Sequence, residues 1–198
     1  MKHIVKCPEP SSFQSWNKKN PRADWDDFSK TETYQELREC LINEQAMFCC
    51  YCEIALRQNS DAHIEHFKPK SKYPAERFAY NNLFACCEYK DSCGRKKGSD
   101  YFDNLISPLD KNCQLRFTYT GNGMIIPSDE KDTLAKKTIN LLALNCKRLR
   151  NQRQSIIKVL DDGGITIDYL KESLDNCAEW YNGFFTVIRY VVGKRGTA

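Results

Sequence analysis

The sequence predicts an α+β protein: a small core of short strands braced by cysteines, with helices at both ends. Three observations lead there. Residues 33–47 place Tyr34, Leu37, Cys40, Leu41 and Ala46 at approximate helical spacing, and residues 128–192 repeat that pattern over longer stretches. Between residues 49 and 103 the periodicity gives way to short apolar pieces broken by charge and turn residues. Six of the eleven cysteines fall in one stretch, from Cys49 to Cys93. A chain of 198 residues, 41% hydrophobic, suits one compact unit better than two full domains. The expected organisation is therefore a single domain, 1–198. An arm and helix fill 1–47, a metal-braced core with a hairpin fills 48–127, and a helical region fills 128–198.

Taken in order, residues 1–32 space Phe13, Trp16, Trp25 and Phe28 as an arm that packs its aromatics on the body. Thr31 or Thr33 then offers an N-cap for the helix that delivers the chain to the first cysteines. Beyond the central segment, strands at 115–119 and 124–126 flank the turn Gly121-Asn122-Gly123 and predict a hairpin. From Ser128 the apolar faces of Leu134, Thr138, Leu141, Leu142, Leu149, Ile156, Val159 and Leu160 predict helix up to Asp161-Asp162-Gly163-Gly164. A final helix over 168–192 carries Leu170, Leu174, Cys177, Trp180, Tyr181, Phe184, Val187, Ile188 and Val191 as core residues.

Charge excludes little. Thirty Lys and Arg against 26 Asp and Glu leave +4, and a nucleic-acid partner requires basic residues gathered on one face. No run approaches the roughly 18 apolar residues of a membrane span, and the N-terminus lacks a secretory apolar core, so a cytoplasmic location is expected. In a reducing compartment, clustered cysteines are better read as thiolate metal ligands than as disulfides. The scattered Cys7, Cys40, Cys113, Cys146 and Cys177 are expected to be small buried hydrophobes.

Cys49 and Cys52 form a Cys-x2-Cys knuckle, and Cys87 and Cys93 supply a second pair. Four thiolates close one tetrahedron around Zn²⁺, a structural site with no open position for substrate. Cys86 is an alternative to Cys87, and Cys50 to Cys49. Catalysis would then fall to other residues, and the segment between the two pairs contains two of the three histidines: His63-Ile64-Glu65-His66-Phe67-Lys68-Pro69-Lys70-Ser71, followed by Asn81-Asn82-Leu83 and by Cys93-Gly94-Arg95-Lys96-Lys97-Gly98.

This order resembles the HNH endonuclease pattern, in which acid-His ends a strand, Pro follows, Asn-Leu precedes a cysteine, and a cysteine-lysine segment leads into a helix. The resemblance implies a ββα-metal (His-Me finger) core. It also implies that His66 is the general base, Glu65 a ligand of a catalytic Mg²⁺ or Mn²⁺, and Asn82 the residue that fixes the base-bearing loop, with Asn81 as the fallback. The chemistry is consistent: a neutral imidazole can take a proton from water, and a carboxylate can hold the cation that neutralises charge on the phosphoryl group. Lys68, Lys70, Lys96 and Lys97 are candidate phosphate contacts. One departure stands out. Gly94 occupies the position after the last cysteine, where the pattern places a further metal ligand, so that ligand must come from elsewhere; His63, Asp91 and Asp100 are candidates.

The resemblance runs on through Thr138-Ile139, Leu142-Ala143-Leu144-Asn145, Arg148-Leu149 and Arg153, towards the retron-associated and Septu-type (PtuB) HNH endonucleases of anti-phage defence. It implies a PtuA-type ATPase partner and, in retron systems, a reverse transcriptase with its single-stranded DNA product (msDNA). DNA is the default substrate and RNA, including tRNA, the runner-up. The alternative function is an inactive zinc-braced adaptor that binds nucleic acid or protein.

Overall fold

The computed structural model describes residues 1–162, 165–175 and 183–196. The N-terminal arm packs its aromatics on the body as expected, and two helices carry them: α1 (Ser11–Lys19) and α2 (Trp25–Phe28). Phe13 lies 5.4 Å and Trp16 4.6 Å from Phe28 between ring centroids, and Trp25 lies 5.6 Å from Phe78. Such pairs add about 0.5–1.5 kcal/mol each beyond burial. Thr31 settles the N-cap of α3 (Glu32–Glu44), its hydroxyl accepting the Tyr34 N–H at 3.2 Å. Leu37 and Leu41 of α3 are fully buried on the face that packs against the central strands.

Those strands are β1 (Ala62–His66) and β2 (Leu83–Cys87), antiparallel, with Glu65 opposite Phe84 and His66 opposite Leu83. The five-residue α4 (Cys93–Lys97) follows β2 and packs back against it. Among the described residues β1 pairs with no strand other than β2.

The predicted hairpin is present as β3 (Phe117–Tyr119) and β4 (Ile125–Pro127). Its turn is tight against the next layer. Gly123 has φ +77°, and a side chain there would run into the backbone of Arg150 and Gln154. The helical region beyond residue 128 is interrupted, giving α5 (Thr133–Leu141) and α6 (Lys147–Asp161). Between them Ala143 takes φ +46°, and the Asn145 amide pairs with both backbone groups of Ile125 at 2.9 Å. Buried Arg153 donates to the carbonyls of Gly123 (2.8 Å) and Leu144 (2.6 Å), tying α6 to the hairpin turn.

The expected single helix over 168–192 is also broken, into α7 (Ile167–Asp175) and α8 (Phe185–Gly196). Gly183 and Phe184 have φ +81° and +60°, and the Phe184 N–H donates to the Glu53 carbonyl at 2.8 Å. The buried Glu53 carboxylate then accepts the Thr186 N–H (2.7 Å) and hydroxyl (2.6 Å), placing a negative charge at the start of α8. This backbone anchoring, invisible in the hydrophobic pattern, overrides helical continuity. Cys177, Trp180 and Tyr181 lie outside the described residues. Of the other scattered cysteines, Cys113 is buried and Cys146 half-buried, whereas Cys7 and Cys40 are exposed, against expectation. Among the described residues no helix is long and apolar enough to cross a membrane.

Candidate active site and cysteine centre

The sulfurs of Cys49, Cys86, Cys87 and Cys93 lie within 4.8 Å of one another, all buried. Three segments bring them there: the turn after α3, the end of β2 and the first residue of α4. The Cys49 turn is held by the Glu53 N–H on the Cys49 carbonyl (3.0 Å) and by a bridge between Phe48 and Ala55. Backbone amides point at the sulfurs, from Cys87 to Cys49 Sγ (3.4 Å) and from Gly94 to Cys86 Sγ (3.2 Å), and such donors favour thiolates.

A tetrahedral ion with bonds of about 2.3 Å separates its sulfurs by about 3.8 Å. Within the quartet Cys49 and Cys86 stand at that separation, and Cys52, outside it, lies 3.8 Å from Cys87. The donor set therefore fits a thiophilic tetrahedral ion such as Zn²⁺. Three of the four expected ligands, Cys49, Cys87 and Cys93, belong to the quartet. Cys86 completes it, while Cys52 stands beside Cys87. Both candidates for the second pair's first member thus enter the cluster, because it forms where β2 ends and both side chains can reach it. Cys50 is buried outside the quartet, its N–H bonded to the Ala85 carbonyl at 3.1 Å.

On β1 the alternation of side chains sends His63 and Glu65 to the face covered by α4, and His66 towards the N-terminal helices. The His66 ring meets Trp25 edge-on, 4.2 Å between centroids, and its Nε2 lies 3.0 Å from the Arg77 carbonyl. A carbonyl can only accept, so Nε2 carries the proton and Nδ1 keeps its lone pair. Burial pushes the His66 pKa down to about 4, so the ring is neutral at neutral pH. Although adjacent strand residues point apart, His66 is the last of β1. Glu65 and His66 both line one cleft of about 250 Å³ with Ile64, Pro69, Lys70, Ser71, Gly98 and Ser99.

Asn82 closes the loop that follows His66. Its Oδ1 accepts the Lys68 N–H at 2.7 Å, and its Nδ2 donates to the carbonyls of Lys68 and Glu76, both at 3.0 Å. Asn81, the fallback, is exposed.

Glu65 is held through one oxygen. Its Oε1 pairs with the Lys97 ammonium at 2.9 Å and accepts from the Tyr51 hydroxyl at 3.3 Å, while Oε2 faces His63 Nε2 at 3.5 Å. Lys97 also donates to the His66 carbonyl at 3.1 Å and is 1% exposed. That corrects its expected role: a buried ammonium locked on the acid and the strand end has no free face for phosphate. Lys96 is exposed, whereas Lys68 pairs with Glu76 (3.0 Å) and Lys70 with Asp26 (3.2 Å) on the surface. Of the other ligand candidates, Asp91 is engaged by Arg148 at 2.8 and 3.2 Å, and Asp100 is exposed beyond α4. Residue patterns did not reveal Trp25, Tyr51 and Arg77 as neighbours of the acid and histidine. The one advance signal in the sequence was Trp25's place among the aromatics expected to pack on the body.

No family model matches the chain. It is similar to a protein of Escherichia coli named "Retron Ec83 putative HNH endonuclease", with 27% identity over 205 aligned residues, covering 79% of this chain and 79% of that protein.

Proposed function

We propose that this chain is an HNH-type endonuclease that hydrolyses nucleic-acid phosphodiester bonds with the help of a divalent cation, on a ββα-metal core stiffened by zinc. One observation carries the reading: Glu65 and His66 end the same strand and line the same cleft, with the imidazole proton fixed on Nε2 by Arg77. The similarity to the retron HNH protein supports it.

In this reading His66 Nδ1 accepts the proton of the attacking water, and the Arg77 carbonyl and Trp25 fix the plane of the ring. Asn82 holds the loop that follows, so the base keeps its place relative to the acid. Glu65, braced by Lys97 and Tyr51, presents its remaining oxygen to Mg²⁺ or Mn²⁺, which supplies positive charge to the phosphoryl and leaving oxygens. Lys70 at the cleft, with Lys68 and Lys96, adds positive field along the backbone path. The cysteine centre holds Zn²⁺ and has a structural role.

By the same reading the protein is cytoplasmic and works in a retron or Septu anti-phage complex. Its partners there are a PtuA-type ATPase and, in a retron, the reverse transcriptase with its msDNA. DNA is the first substrate to test and RNA, including tRNA, the second.

Incubating the zinc-loaded protein, alone and with its ATPase partner, with DNA and RNA in Mg²⁺ or Mn²⁺ tests the proposal. Internal cleavage abolished by chelating the loosely held cation is expected. Intact substrates in every combination would overturn it in favour of a binding adaptor.

A further inference from the structure

We infer that His63 is a direct ligand of the cation held by Glu65, supplied from β1 in the space that Gly94 leaves on α4. This rests on the nuclease reading and specifies its metal site.

His63 and Glu65 are two residues apart on one strand and therefore share a face. The two oxygens of Glu65 are divided: Oε1 is taken by Lys97 and Tyr51, and Oε2 faces His63 Nε2 at 3.5 Å. On the far side of the ring, His63 Nδ1 is buried without a hydrogen-bond partner, and the nearest carboxylate oxygen, from Glu88, stands 3.6 Å away. A shift of a few tenths of an ångström turns that contact into a hydrogen bond. Nδ1 then carries the proton and Nε2 presents a lone pair to a carboxylate oxygen. Two lone pairs facing each other in a buried setting repel unless a cation lies between them. Octahedral ligands at about 2.1 Å stand about 3.0 Å apart, so a small closing of the pair completes two adjacent positions.

Gly94 keeps this arrangement possible. A Cβ at that position would stand 2.8 Å from Glu65 Cδ and 2.9 Å from His63 Nε2, and closer still to Oε2. Any side chain on α4 here displaces the pair, so a ligand from α4 and the His63–Glu65 pair exclude each other. Asp91 offers no substitute, since Arg148 engages both its oxygens.

The test is Mn²⁺ binding to the zinc-loaded full chain, with a non-cleavable phosphorothioate oligonucleotide present. It is followed by electron paramagnetic resonance, with pulsed detection of ¹⁴N coupling. Wild type is expected to bind one Mn²⁺ per chain with an imidazole-nitrogen coupling. His63→Ala and His63→Gln should lose that coupling and bind at least ~10-fold more weakly, whereas His66→Ala should retain the coupling. Zinc content and thermal unfolding identify any variant that fails to fold, and the glutamine variant serves if the alanine one does. Unchanged affinity and coupling in both His63 variants, with binding lost in Glu65→Gln, would overturn the His63 assignment and leave the nuclease reading standing. No Mn²⁺ binding by wild type would overturn both.

Discussion

The cysteine centre and the acid–histidine cleft share β1, β2 and α4, yet they are built on opposite principles. At the centre, four buried sulfurs lie within 4.8 Å of one another and two of them, Cys49 and Cys86, take amide N–H bonds, a set that closes on itself. At the cleft, Glu65 and His66 each have one side bound to protein and another left over: Oε2 beyond the Lys97 pair, and Nδ1 beyond the Arg77 bond. A saturated site holds structure, and an unsaturated one is available for chemistry. Because α4 begins at Cys93 and ends at Lys97, the first also positions the second.

Breaking the closed site should produce the largest effect. A structural zinc contributes roughly 10–16 kcal/mol of binding, comparable to or above the whole stability of a domain at about 5–15 kcal/mol. Cys93→Ser, or stripping the zinc, is expected to abolish cooperative unfolding as followed by circular dichroism. Cys50→Ala, a buried cysteine outside the quartet, should keep full zinc content.

Asn82→Ala comes next. It removes an acceptor and two donations and strands the Lys68 backbone groups, at about 1 kcal/mol per bond and more for each group left buried. A loss of roughly 2–4 kcal/mol in denaturant unfolding is expected, with zinc retained. Full stability in that variant would show that the loop does not depend on its amide.

Gly94→Ala sharpens the contrast between the sites. Overpacking costs about 1–3 kcal/mol, but the Gly94 N–H to Cys86 survives, so zinc should stay while Glu65 and His63 are displaced. Cleavage should fall far more than zinc content, and equal losses of both would contradict the separation.

The smallest effect concerns surface charge. Lys96→Ala should leave unfolding unchanged and reduce the salt dependence of nucleic-acid binding by about one unit of slope. Lys97→Ala, by contrast, removes the buried partner of Glu65 and should destabilise the fold.

Much of this was legible because it rests on local chemistry. The Thr31 cap, the helix it starts and the hairpin around Gly121-Asn122-Gly123 all depend on residues within a few positions of their targets, whereas Asn82, which bonds Lys68 across the loop, was singled out by its place in the motif the chain resembles. The cysteine cluster was visible from number and spacing, but the choice among Cys52, Cys86 and Cys87 was not, because it depends on how β2 ends beside the Cys49 turn. Lys97 read as a surface cation because a lysine's burial is decided by a distant partner, here Glu65. The break at Gly183 and Phe184 follows from a contact with Glu53, 130 residues earlier in the chain, and hydrophobic periodicity carries no trace of it. Gly94 read as a missing ligand, but it stands in the structure as the space that admits His63 and Glu65.

The central claim is that the cleft performs hydrolysis on a scaffold that does not need the histidine. Its most direct test is nucleic-acid cleavage in Mg²⁺ or Mn²⁺ by wild type and His66→Ala, with zinc measured in both. The expected result is a loss of roughly 10²-fold or more in rate, with zinc content unchanged. Equal cleavage by the two proteins, with zinc intact, would contradict the claim.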